Sequence, residues 1–140
     1  MLRSVPGISL LIIMLCLSVH AEETVTGVWK TIDDDGKTEK SYVEIYEEDG
    51  LINGRIVKLL RKPADSLCTA CTGENKDKAL VGLKIMSGLQ KTGNAFANGK
   101  ILDPENGKTY NCRIWRDGES LKVRGYVAFF FRTQTWYPVE

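Results

Sequence analysis

The residues best suited to covalent chemistry are Cys68 and Cys71, which form a C-x-x-C pair. In an oxidising compartment such a pair forms a local disulfide. A thioredoxin-like redox role would need the pair at the start of a helix in a βαβ unit, and no such unit is visible around it. A zinc site would need four ligands, and only three cysteines and no histidine remain if residues 1–21 are removed as a signal peptide. We therefore predict a disulfide between Cys68 and Cys71 and no metal site.

Cys112 is the odd cysteine of the predicted globular part. It alternates with Tyr110 and Ile114, so the three side chains share one face of a predicted strand. An apolar neighbourhood predicts a buried, unreactive thiol. Pairing with Cys68 or Cys71 stays open if the loop that carries them folds over this strand.

Acid–base catalysis has few candidate residues in this chain. The only histidine is His20, which lies in a predicted signal peptide, so no imidazole base remains after its removal. Asp103 and Glu105 could form a carboxylate pair, but Asp-Pro at this point is simply explained as a turn. The Asp33–Asp35 run lacks the spaced ligands of a calcium loop. We predict a protein that is not an enzyme and uses no cofactor.

Residues 1–21 have the pattern of a cleavable signal peptide. Arg3 supplies the positive start, Ile8–Val19 is the apolar stretch, and small residues precede a cleavage point after Ala21. The apolar stretch is too short for a membrane anchor and no stop-transfer charges flank it. The prediction is an exported, not membrane-spanning protein whose single domain occupies residues 22–140.

The charge of the predicted domain is balanced. The whole chain has a formal charge of +1, and Arg3 is the only charged residue in the predicted signal peptide, so the rest is neutral. A neutral chain without a basic run has no electrostatic footprint for nucleic acid and no polybasic segment for anionic lipid.

Alternation of apolar and polar residues indicates an all-β domain. Strand-like segments recur at short spacing and are separated by Asp-Gly or Asn-Gly turns. This pattern predicts a single antiparallel up-and-down β-barrel of about eight strands, because closure removes unpaired edges; an open sandwich is the alternative. The predicted strands are Val25–Thr31, Ser41–Glu47, Leu51–Leu60, Leu80–Leu89, Ala95–Leu102, Thr109–Trp115, Leu121–Val127 and Phe129–Trp136.

The inward faces of these strands supply the candidate ligand-binding residues. Most are apolar, and Arg124 is added as a cation that could meet a carboxylate head group. The predicted interior set is Val43, Ile45, Leu83, Ile85, Phe96, Tyr110, Ile114 and Arg124.

Two further segments do not fit a simple meander. Residues 61–79 form a long polar loop, which in a small domain is usually functional or tied down. Phe129, Phe130 and Phe131 are consecutive, so a strand must send at least one of them outward. An outward phenylalanine predicts a peripheral or protein contact unless a neighbouring loop covers it.

Short motifs also resemble known families. Gly27-Val28-Trp29 resembles the Gly-x-Trp of lipocalins, in which the tryptophan plugs the closed end of the barrel beneath a late arginine; this resemblance implies a plug of Trp29 with Arg132 or Arg124, of which Arg132 is preferred because it shares a strand face with Phe130 and Trp136. Longer stretches resemble the bacterial secreted family called domain of unknown function 2147. They are Cys68–Cys71, Leu80–Leu83, Gly99–Tyr110, Leu121–Tyr126 and Thr133–Trp136.

The second resemblance implies a lipocalin-like or fatty-acid-binding-protein-like barrel in the periplasm of a Gram-negative bacterium, with no established activity. Phe96 departs from the family, which often has tryptophan at that position. The expected function is binding of a small hydrophobic or amphipathic ligand. The alternative is a filled barrel that acts as an envelope scaffold through its surface aromatics and the C-x-x-C loop.

Overall fold

The structure is a computed structural model, and it describes residues 2–7, 12–16 and 24–140. The predicted cleavage point after Ala21 lies outside the described residues, so the signal peptide stays a prediction. Among the described residues, none belongs to a helix with the length and apolar character needed to cross a membrane.

Residues 24–140 form a closed antiparallel barrel in which each strand pairs with the next and the last pairs with the first. The meander prediction is therefore confirmed, and the open sandwich is wrong. The strands are β1 Gly27–Ile32, β2 Glu39–Glu48, β3 Leu51–Leu59, β4 Lys84–Thr92, β5 Ala95–Asp103, β6 Lys108–Asp117, β7 Ser120–Val127 and β8 Phe130–Pro138; a short 3-10 helix spans Gly73–Asn75.

The start of β4 differs from the sequence prediction, which began that strand at Leu80. Residues 80–83 instead form a turn, in which Gly82 has a φ of +92° and Val81 is 38% exposed. The turn is held against β3, because the Gly82 amide donates to the Ile56 carbonyl and the Leu83 carbonyl accepts from the Ile56 amide. Positive φ at glycine lets the chain turn there, which alternation alone does not reveal.

The up-and-down order puts alternate loops at opposite ends of the barrel. The β1–β2 loop, residues 60–83, the β5–β6 turn and the β7–β8 turn all lie at one end, which we call the open end. The other end, the closed end, holds the packed core. Its fully buried side chains include Ile45, Leu89, Ile114 and Leu121, with Trp29 beside them.

Candidate ligand-binding cavity

A cavity of about 820 Å³ occupies the open half of the barrel. Its wall is formed by aliphatic and aromatic side chains that point inward from β3, β4, β5, β7 and β8. The wall residues are Ile56, Ile85, Ile101, Val123 and Trp136. The volume lies within the range of about 300–1,000 Å³ that small-molecule pockets occupy. The open half of this barrel is therefore hollow, whereas the closed half is filled by its own side chains.

The predicted interior residues divide between the cavity and the packed half. Ile85 and Tyr110 line the cavity. The others on the inner face fill the core: Val43, Ile45, Leu83 and Ile114 are buried, and Phe96, which pairs with Ile114, packs against them.

Arg124 does not point into the barrel, so its predicted place in the interior is wrong. It pairs with outward-facing Arg113, and its guanidinium lies 4.9 Å from the Trp115 ring centroid and 4.4 Å from that of Phe131. Its Nε also donates to Thr133 Oγ1 at 2.7 Å. Inner positions on β7 are Leu121, Val123 and Gly125, so Arg124 falls on the other parity of the strand.

The partner predicted for Trp29 is also wrong, although Trp29 itself is buried, with 3% of its surface exposed. The arginine above its ring is Arg116, whose Cζ lies 5.2 Å from the ring centroid and whose Nη1 donates to the Thr24 carbonyl at 2.7 Å. Arg132 lies at the open end of the barrel. Both arginines lie on the inward face of their strands, so strand parity does not distinguish them. They differ in position along the barrel, because Arg116 lies at the closed end and Arg132 at the open end.

A series of hydrogen bonds runs along the inner face of β8 from the floor of the cavity to its rim. Trp136 Nε1 donates to Gln134 Oε1 at 2.9 Å, and Gln134 Nε2 donates to Asp34 Oδ1, also at 2.9 Å. Arg132 Nη1 donates to the other oxygen of Asp34 at 2.7 Å. The hydrogen bond from Gln134, followed by the hydrogen bond and the charge of Arg132, lowers the pKa of Asp34 below its usual value. Asp34 is therefore an anion at neutral pH, and it orients both β8 side chains.

A second ion pair crosses the mouth between β2 and the β5–β6 turn. Lys40 donates to Glu105, and its Nζ lies 3.7 Å from Asp33. Burial raises the pKa of neighbouring Asp103, although the charge of Lys40 opposes the rise. Three of the four rim carboxylates thus have a cationic partner within 4 Å.

Other cations at the mouth have no such partner. Arg61, Lys62 and Lys108 line the cavity, and none of them forms an ion pair with a residue in the described part of the chain. The mouth can therefore offer both a cation and hydrogen-bonding groups to a polar head group.

The predicted disulfide between Cys68 and Cys71 is present, and both residues are buried. It shapes a corner of the long loop that packs on the β5–β6 turn. Cys68 Sγ lies 3.7 Å from the Pro104 carbonyl, and a Cβ added to Gly107 would come within 2.0 Å of the Ala70 carbonyl oxygen. The disulfide loop and this turn therefore form one wall of the mouth.

Cys112 is a free thiol on the inner face, with 2% of its surface exposed, so a disulfide to the loop cysteines is excluded. Burial raises its pKa to about 12. We expect no reaction of the native protein with a thiol reagent at pH 8 and one reactive thiol in the domain once it is unfolded in denaturant. Labelling followed by mass spectrometry measures this; prompt labelling of native Cys112 would contradict a closed wall at this point.

The arrangement suits reversible binding. It combines an apolar chamber with polar and charged groups gathered at one mouth. No group of three or more histidine, cysteine, aspartate or glutamate side chains placed to hold a metal ion occurs among the described residues.

Sequence reasoning missed the mouth residues Asp34, Lys40, Arg132 and Gln134 as a group. Asp34 and Lys40 lie outside any inward strand pattern, and only the closed barrel brings Asp34 to β8 and Lys40 to the β5–β6 turn. The signal that could have found them is the polar residue at every second position of β8 above Trp136, which is Gln134 and then Arg132.

One solved structure with the same fold is described as "Protein HP1028 from the human pathogen Helicobacter pylori belongs to the lipocalin family". It superposes with a TM-score of 0.74 at 18% identity, over 84% of each chain. At this identity the likeness is one of fold, a lipocalin-like barrel. Among curated proteins, none matches the sequence.

Residues 27–137, which include every strand but the final residue of β8, match the family described as "Uncharacterized protein conserved in bacteria (DUF2147)". The match runs from the glycine of the Gly-x-Trp motif to the end of the barrel and includes the disulfide loop. The chain belongs to the DUF2147 family.

Proposed function

We propose that this protein binds a small amphipathic molecule in the open half of the barrel, as an exported binding protein of the Gram-negative periplasm. The observation that carries the proposal is the 820 Å³ cavity, which has an apolar floor and a charged mouth at opposite ends of one chamber. The acyl or aromatic part of the ligand contacts the floor. Its head group lies at the mouth, among the cations and the Asp34 network.

The expected affinity follows from the apolar surface that the floor can bury. Burial of roughly a dozen methylenes at about 0.8 kcal/mol each contributes on the order of 10 kcal/mol. Loss of translational and rotational freedom costs at least about 4 kcal/mol. At most about 6 kcal/mol remains, which corresponds to an affinity of roughly tens of micromolar or weaker. This range suits a carrier that must release its ligand.

The alternative, a filled barrel that acts only through its surface, is not supported by the open half, because that half is hollow. Catalysis is not part of the proposal, since the predicted mature chain has no histidine. The export part of the proposal is supported by the signal-like residues 1–21 and is compatible with the Cys68–Cys71 disulfide. N-terminal sequencing of the protein from an envelope fraction tests export, and a chain that still begins at residue 1 would contradict it.

Native mass spectrometry of the protein purified without detergent from its own host tests the binding proposal. We expect a discrete adduct of a few hundred daltons that is lost on denaturation. Gly125→Leu should remove it, because Gly125 lines the cavity and its missing side chain points at Tyr110 and Ile101 without a close clash. A leucine there fills chamber volume, and we expect at least about a tenfold loss of bound ligand.

Thr109→Leu is the matched control, since Thr109 is exposed and alternates with inward Tyr110. This variant adds the same kind of side chain to the outside of the wall and should keep the adduct. If wild type and both variants show only the bare protein mass, also after incubation with a long-chain fatty acid and a lysophospholipid as probes, the cavity-binding proposal is wrong. An adduct that survives Gly125→Leu would place the ligand elsewhere.

A further inference from the structure

The β7–β8 turn exposes an apolar patch that we call the Phe tip: Val127, Phe129, Phe130 and Phe131. Their exposed fractions are 51%, 98%, 78% and 57%. Consecutive phenylalanines at this level of exposure are unusual on a protein that is soluble on its own. No segment in the part of the chain that the structure describes covers these rings.

The base of the Phe tip is stiffened on its outer face. The Arg124 guanidinium lies 4.4 Å from the Phe131 ring centroid, and the Tyr126 and Phe131 centroids are 6.0 Å apart. Antiparallel pairing continues to the last pair, Val127 with Phe130. The hairpin therefore presents Phe129 at the apex of a paired two-stranded ribbon.

The size and shape of the Phe tip argue against a dimer in which a second copy of the chain covers it. Three rings at these exposures amount to roughly 500 Å² of apolar surface. A standard interface buries about 800 Å² on each partner, and a hairpin apex is convex, so two tips would bury only part of what they expose. A lipid layer, which can surround a convex apex, can cover all of this apolar surface.

The charges around the hairpin favour contact with an anionic lipid surface. Residues 120–138, which form β7, the turn and β8, contain no aspartate or glutamate, and Arg124 and Arg132 are the cations nearest the turn, Arg132 in its ion pair with Asp34. At the same open end, Arg61 and Lys62 line the cavity mouth and have no ion-pair partner in the described part of the chain. Carboxylates also lie at this mouth, but Asp33, Asp34 and Glu105 are paired with Lys40 or Arg132. Arg61 and Lys62 therefore remain available to a surface of phosphate groups.

The Phe tip is also continuous with the cavity. Val127, Phe130 and Phe131 line the chamber at its mouth as well as the outer patch. A phase that covers the tip would therefore meet the opening through which an amphipathic molecule must pass.

We propose that the Phe tip is a membrane-docking surface, which inserts Phe129 and its neighbours into the interfacial layer of a phospholipid bilayer while Arg61 and Lys62 contact lipid phosphates. Aromatic rings favour this layer, and basic side chains beside them add attraction to anionic lipid. Docking places the cavity mouth against the lipid surface. This inference stands without any ligand in the cavity, because the rings are exposed whether the chamber is filled or empty.

Co-sedimentation with unilamellar vesicles tests the inference, using exported protein purified without detergent. We expect wild type to bind vesicles that contain phosphatidylethanolamine and phosphatidylglycerol, and to bind phosphatidylcholine vesicles more weakly. Phe129→Ser should lower partition about tenfold, since a ring that leaves the interfacial layer loses much of its burial free energy. Its near-complete exposure means that the substitution leaves the fold intact, which circular dichroism verifies.

Tyr137→Ser is the matched control: Tyr137 is another exposed aromatic of β8, at the closed end. This variant should bind vesicles as wild type does. The double variant Arg61→Gln, Lys62→Gln should lose the preference for phosphatidylglycerol and keep the weaker binding to phosphatidylcholine. Gly125→Leu should retain vesicle binding, which separates docking from the proposed ligand site.

Three results would overturn the inference. One is wild-type protein that stays in the supernatant with both kinds of vesicle. Another is equal partition of Phe129→Ser and wild type. The third is a concentration-dependent dimer, seen by light scattering, that Phe129→Ser abolishes, because a second copy would then cover the tip.

Discussion

Replacement of Trp29 with alanine is expected to lower the free energy of unfolding by about 3–5 kcal/mol. The ring is buried and pairs across the sheet with Val43, and its Nε1 donates to the Val25 carbonyl at 2.9 Å. Removing the ring leaves a cavity at the closed end and an unpaired carbonyl beside it. Urea denaturation followed by circular dichroism measures the change.

Two arginine variants test whether Arg116, and not Arg132, covers Trp29 at the closed end. Arg116→Ala should cost about 1 kcal/mol, because it removes the cation above Trp29 and the hydrogen bonds to the Thr24 and Gly118 carbonyls. Arg132→Ala should cost less than Arg116→Ala, since Arg132 is exposed and its ion pair with Asp34 faces solvent. A loss under about 1 kcal/mol for Trp29→Ala, or the reverse order of the two arginines, would contradict this account of the closed end.

Gly107→Ala is expected to destabilise the protein by at least about 3 kcal/mol. Gly107 has a φ of +72°, which costs other residues about 1–2 kcal/mol. The added Cβ would also lie 2.0 Å from the Ala70 oxygen and 3.3 Å from Cys71 Cα, both backbone atoms of the disulfide loop. Neither the loop nor the turn can move away without breaking the contact between them that forms this wall of the mouth, so overpacking adds to the backbone strain.

Gly118→Ala separates the cost of backbone strain from the cost of steric overlap with the disulfide loop. Gly118 has a φ of +60° in the β6–β7 turn, but nothing lies within 4 Å of the Cβ that it would acquire. It should therefore cost only the backbone contribution of about 1–2 kcal/mol. Equal losses for the two variants on chemical denaturation would show that the disulfide loop does not press on the β5–β6 turn in solution.

The barrel was predictable because its signals are local. Alternation with period two and Asp-Gly or Asn-Gly turns act within about ten residues, so each hairpin is encoded by its own sequence. The same reasoning placed Val43, Ile45 and Ile114 inside and Cys112 on the buried face. It failed at Leu80–Leu83, where Gly82 turns a segment that alternates like a strand, and at Arg124, where strand parity places the side chain outside.

What the sequence by itself determined is the all-β meander, the inward face of most strands and the loop disulfide, each a consequence of spacing along the chain. Only the tertiary structure decided which arginine covers Trp29, that Asp34 joins Arg132 and Gln134, and that half of the barrel is hollow. Closure sets β1 beside β8 and brings residues about a hundred positions apart into hydrogen-bonding distance. Whether inward side chains fill a barrel depends on their combined volume and on the end that each one reaches, and no local pattern encodes that sum.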